Sequence, residues 1–159
     1  KIVNSIAVDR SGQGNNGTII NGATPAPGIS GQALSFDGTD DYVSITNSSS
    51  LDFGTGNFSF SAWVKTTQNC SGNKVYMSEY ESDAQSIWLG CVDSGGVGKA
   101  FFSTRDSNVV TVGSGNSITT INDNKWHHLL GVRNGDNVYI YVDGASENSG
   151  TGSRTGNFD

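Results

Sequence analysis

Residues 31–45 read GQALSFDGTDDYVSI. Ala33–Phe36 is extended and part apolar, Asp37-Gly38-Thr39 is a tight turn, and Tyr42–Ile45 resumes a strand pattern. Glycine reaches positive φ at no steric cost, and aspartate bonds its own backbone two residues on, so the turn chemistry matches the flanking strands. The same turn gathers three carboxylates, Asp37, Asp40 and Asp41. One stretch therefore raises both questions about the chain: whether it is all-β, and whether this hairpin also holds a cation.

Working outward, Phe58–Lys65 (FSFSAWVK) is the clearest strand. Phe58, Phe60, Ala62 and Val64 alternate with Ser59, Ser61, Trp63 and Lys65. That period of two gives a sheet one apolar face. Lys74–Glu79 with Ser86–Cys91, Lys99–Thr104 with Val109–Val112, and Trp126–Arg133 with Val138–Asp143 read as further hairpins. The last turns over Asn134-Gly135-Asp136-Asn137. Gly17–Ile20 is a short strand. Residues 23–30 read as a proline-bearing loop, because proline cannot donate to a ladder. Ala145–Asp159 is almost wholly polar and reads as a tail unable to bury itself. Many short strands with regular turn signals predict an all-β, two-sheet antiparallel β-sandwich of jelly-roll type.

The chain has 159 residues, 22 of them glycine, and only 15% are charged. That length fits one domain, residues 1–159, large enough for a core of its own. The net charge of −6 leaves no basic stripe for phosphates, which argues against nucleic acid and against an anionic membrane surface. No apolar run has the length of a membrane-spanning helix. No leader segment is visible, so the chain reads as mature or excised. Cys70 and Cys91 border predicted strands and bracket one hairpin. A disulfide fits them best, the alternative being two buried thiols, and a disulfide implies an oxidising, extracytoplasmic setting. Asn16, Asn47, Asn57 and Asn69 each open an N-glycosylation pattern, relevant only where the compartment glycosylates.

Several pieces in fixed order carry a resemblance. They are Asp9-x-Ser11-Gly12-x-Gly14-Asn15-x-Gly17-Thr18, Asn21-Gly22-Ala23, Gly31 to Val43, Phe58 to Lys65, Trp126-His127-His128-Leu129, and Val138 to Gly144. Together the chain resembles the laminin-G-like, concanavalin-A-like jelly-roll domains of secreted and surface proteins. The resemblance implies a module that is usually non-catalytic, often binds carbohydrate or protein, and sometimes carries structural calcium. It also implies first and last strands that pair, and neither is evident here. Open edges of that kind invite strand addition, which keeps a second expectation alongside the first: a homo-oligomeric or filamentous subunit completed by a neighbouring chain.

The candidate sites follow. Calcium takes six to eight oxygen ligands. Asp37, Asp40 and Asp41 supply carboxylates, and the resemblance suggests that Asp9 and Asn16 complete the shell. The competing reading is a hairpin turn in which aspartate simply suits the backbone. Trp63, Tyr139 and Tyr141 are the candidate ligand contacts, chosen from an aromatic supply that also includes Trp88, Tyr76 and Tyr80. Trp63 shares its strand face with serines, and the tyrosines stand opposite Ile140 and Val142. His127 and His128 are adjacent, so on a strand they point to opposite faces. Glu79, Glu81 and Asp83 alternate as glycosidase carboxylates do, but in an order of residue types that departs from that catalytic pattern. No catalytic residue is assigned, and a glycoside hydrolase or lyase is the remotest reading. The expectation is a non-catalytic extracellular or cell-surface module that recognises carbohydrate or an extracellular protein.

Overall fold

The computed structural model describes every residue except Lys1, Asn4, Asp83, Ala84, Arg154, Thr155, Asn157 and Asp159, and every described side chain except those of Val3, Glu81 and Ser82. Among the described residues there is no helix, and every paired strand is antiparallel. The chain divides into two compact units, Lys1–Asp52 and Phe53–Asp159.

The first unit holds β1 (Ile2–Val3), β2 (Ile6–Ala7), β3 (Gly17–Ile20), β4 (Thr24–Pro27), β5 (Gln32–Ser35) and β6 (Tyr42–Ile45). One sheet runs β1-β2-β3-β6, and β4-β5 is a separate ribbon. Gly17 is required by packing: a Cβ there would stand 2.4 Å from Val43 Cγ1. Pairing of Ala7 with Gly17, Ile19 with Val43 and Gly17 with Ile45 puts the aliphatic side chains on one face. Residues 24–27, expected as loop, form a strand containing both prolines. Pro25 and Pro27 have the same parity, so their missing N–H groups fall on one edge of a two-stranded ribbon and no ladder bond is lost.

The second unit is a sandwich of two four-stranded sheets. β7 (Phe58–Lys65), β12 (Trp126–Asn134), β13 (Asn137–Val142) and β14 (Ala145–Thr151) form one, in the order β14-β13-β12-β7. β8 (Lys74–Ser82), β9 (Gln85–Ser94), β10 (Val97–Arg105) and β11 (Thr111–Gly113) form the other, in the order β11-β10-β9-β8. Between them Phe58, Ile87, Leu89, Phe102, Leu129, Val138, Ile140 and Val142 make a continuous core. Gly131 faces Phe102 so closely that a Cβ would lie 2.2 Å from its ring. Cys70 and Cys91 form the expected disulfide, which ties the segment before β8 to β9.

The C-terminal stretch departs from expectation. Ala145–Thr151 is β14, paired with β13 across the Asp143-Gly144 turn, so a closing strand is present. Its side chains are polar on both faces; backbone pairing defines it, and Glu147 accepts from the Ile118 and Thr119 N–H groups at 2.7 and 2.9 Å. Phe158 is only 1% exposed and packs edge-on to Phe58. The buried Arg133 guanidinium lies 4.9 Å over the Phe158 ring and donates to the Gly56 carbonyl at 2.6 Å. No described helix is long and apolar enough to cross a membrane.

Candidate functional site

The β7–β12–β13 face turned away from the core collects the aromatic residues singled out from the sequence. Trp63 pairs with His128, Leu130 with Ser61 and with Tyr141, and Val132 with Tyr139. Their chain neighbours Leu129, Val138, Ile140 and Val142 are buried, so strict alternation turns these positions outward. Trp63 is 48% exposed and leans on the His128 ring, centroids 5.2 Å apart. Ser61 Oγ and His128 Nε2 share a hydrogen bond of 2.8 Å. Tyr139 and Tyr141 are half-buried, their rings 6.4 Å apart. The structure therefore brings Trp63, Tyr139 and Tyr141 to one face. It adds Ser61 and His128, which the sequence reading left out because their partnership crosses two strands.

The acidic turn closes as a local structure. Asp37, Asp40 and Asp41 each offer an oxygen within 4.8 Å of the others. Asp37 Oδ1 accepts the Thr39 N–H at 2.8 Å, and Asp41 Oδ2 accepts the Asp37 N–H at 3.0 Å. Asp9 and Asn16, expected to complete the shell, bond within their own loop. The Asp9 carboxylate accepts the Ser11 N–H, the Ser11 hydroxyl and the Asn15 N–H, at 2.7, 2.8 and 2.9 Å. Those bonds, the Ser11 N–H foremost, hold Asp9 below its usual value. Asn16 Oδ1 accepts the Asp9 N–H at 2.8 Å. These bonds close the 9–16 loop on itself. The three clustered carboxylates fit a hard cation in spacing and donor type, with carbonyls or water needed for the remaining positions.

His127 sits under the sheet end, 7% exposed. Nδ1 meets Asp143 Oδ2 at 2.8 Å and Nε2 meets Asp123 Oδ1 at 3.1 Å. Ionised carboxylates only accept, so this bracket favours the ring form in which both nitrogens donate, the imidazolium. Burial opposes that charge, but the bonds to Asp143 and Asp123 outweigh it, and the pKa rises above the usual value. Asp143 also loses to burial, yet the His128 N–H and the imidazolium bring its pKa down. Asp123 is lowered by Lys125 first and His127 second. No spacing rule in the sequence links positions 123, 127 and 143, so only the folded hairpin reveals the bracket. Of the alternating carboxylates, Asp83 and the Glu81 side chain lie outside the described residues.

The family model for the concanavalin A-like lectin/glucanases superfamily, in its laminin G subgroup, matches residues 37–159. The chain belongs to this superfamily. Two solved structures share the fold of this superfamily member. Domain 4 of AbnA, a GH43 extracellular arabinanase from Geobacillus stearothermophilus solved in complex with arabinotriose, is 20% identical with a TM-score of 0.62, covering 87% of this chain and 61% of that one. Domains LG4-5 of the mouse laminin alpha1 chain are 18% identical with a TM-score of 0.53, covering 68% of this chain and 28% of that one. The chain thus spans less than two thirds of either structure. No curated protein matches it.

Proposed function

We propose that this chain is a non-catalytic extracellular module that recognises carbohydrate. The exposed Trp63 ring, leaning on His128 beside the Ser61 hydroxyl, carries the reading. A sugar offers an apolar C–H face for an aromatic ring and hydroxyls for polar neighbours, and this platform supplies both. The Cys70–Cys91 disulfide supports an oxidising location. Superfamily membership and an arabinanase domain holding arabinotriose on a similar fold support the ligand class. A glycan array followed by calorimetry tests it. Binding should weaken at least about tenfold in Trp63→Ala, the loss of one good aromatic contact. A silent array sinks the reading.

Calcium is part of the same proposal. Asp37, Asp40 and Asp41 would hold it, and its role would be to clamp the hairpin between β5 and β6. Millimolar calcium should then slow amide exchange around residues 37–41 in the unaltered chain and not in Asp41→Asn. Identical exchange with calcium and with chelator removes the ion.

A further inference from the structure

The outward face of β8–β9–β10 is a second aromatic surface, on the side of the sandwich opposite Trp63. Register sets it out in rows. Tyr80 pairs with Ser86 and Ser86 with Arg105; Ser78 pairs with Trp88 and Trp88 with Ser103; Gly90 pairs with Phe101. Ile87, Leu89 and Phe102, the alternate positions, are fully buried, so these rows face outward. Tyr80 is 60% exposed and Trp88 38%. Diagonal neighbours on such a face lie within reach of long side chains, which sets Arg105 beside Trp88.

On β9 and β10 the charge of this face runs against the chain as a whole. The protein has 15 acidic and 9 basic residues. Yet the outward positions from Ser86 to Val92 and from Lys99 to Arg105 carry two cations, Lys99 and Arg105, and no carboxylate. Lys99 is taken up by the Ile118 carbonyl and the Thr120 hydroxyl. Arg105 is different. Among the described residues its Nε, shielded from water, has no hydrogen-bond partner, and the guanidinium makes no ion pair. A guanidinium without an acceptor favours one, and a planar carboxylate is the best geometric match for its outer N–H pair.

We propose that this face binds an acidic polysaccharide, with sugar rings against Trp88 and Tyr80 and a uronate carboxylate on Arg105. The overall negative charge does not forbid this. At physiological ionic strength charges beyond about 8 Å are screened, so the cation nearest Trp88 and Tyr80, Arg105, decides. The inference does not rest on the Trp63 platform, which lies on the other sheet.

Calorimetry with the whole chain decides it, using polygalacturonate, the same polymer with its carboxyls methyl-esterified, and a neutral arabinan. The expected result is binding to polygalacturonate that falls about tenfold or more in Trp88→Ala and in Arg105→Gln, and falls similarly on esterification. Trp63→Ala should leave it unchanged. Circular dichroism of each variant confirms that the sandwich is intact, and Arg105→Lys should recover only part of the affinity, because an ammonium lacks the planar fork. Equal binding of the free and esterified polymers overturns the proposal, as does full binding by Arg105→Gln. Loss in Trp63→Ala instead would move the ligand to the other face, and no binding to polygalacturonate would end the idea while leaving a neutral-glycan platform at Trp63 untouched.

Discussion

The two units of this chain are built of the same secondary structure and held by different physics. In Phe53–Asp159 the inward positions of two sheets interdigitate, and every residue of the hydrophobic core cluster lies there. In Lys1–Asp52 Ala23 is the one described apolar side chain that is buried, while Ile6, Val8, Ile29, Phe36, Tyr42 and Ile45 remain exposed. That unit is shaped by side chains that bond backbone and one another: Asp9 and Asn16 around one loop, Asn15 with Ser48 and Ser50 around another. The lesson is that turn chemistry can dictate a strand pattern without supplying the burial that stabilises it. Net hydrogen-bond contributions are about 1 kcal/mol each, whereas a buried aromatic side chain contributes several.

That contrast can be broken at its strong end first. Phe102→Ala removes a ring packed against Gly131, Phe58 and Phe60, and should cost about 3–5 kcal/mol by denaturant unfolding. A loss below 1 kcal/mol would mean that the sandwich core is not where the stability of residues 53–159 resides. Next comes the covalent tie. Cys70 and Cys91 are 21 residues apart, and replacing both with serine should cost about 3 kcal/mol in the chain-entropy model. Hydrogen exchange should show that cost in β8–β10 and not in β3 or β6.

The third test uses pH. The His127 pKa is raised on folding, so its stabilisation is complete below about pH 6.5 and fades as pH rises through the folded value. Asp123 and Asp143 are lowered, so theirs is complete above about pH 4 and fades as pH falls. Stability should plateau between those limits. His127→Gln should flatten the alkaline fall and cost about 1–2 kcal/mol on the plateau, the loss of charge-assisted bonds. An unchanged alkaline limb would show that the bracket does not titrate with folding. The smallest effect belongs to the first unit. Ile45→Ala, half exposed over Gly17, should cost about 1 kcal/mol or less. A loss as large as that of Phe102→Ala would erase the difference between the units.

Alternation made most of the sandwich legible before any coordinates. The strand from Phe58 to Lys65 falls where the pattern predicts because burial on one face enforces period two, and Tyr42–Ile45 falls where the preceding turn chemistry predicts. The misses share a cause. β4 contains two prolines and β14 has no apolar face, so neither shows the apolar alternation that marks a strand. Phe158 stood alone in a polar tail, and nothing local signalled that its ring would find Arg133 and Phe58. Trp63, Tyr139 and Tyr141 were legible as outward residues for the same reason that their neighbours were legible as core. Arg105 beside Trp88 was not, since it depends on the register of β9 against β10. The family match, which begins at residue 37, spans the whole of the cored unit and only the last part of the other.

The disulfide has a consequence for how this chain meets proteases. Cys70 precedes β8 and Cys91 lies on β9, so the bridge encloses the entire hairpin between them. A single cut anywhere from Ser71 to Gly90 severs the backbone without freeing either piece. In a denaturing gel such a nicked molecule would migrate as one band until a reductant is added and as two afterwards.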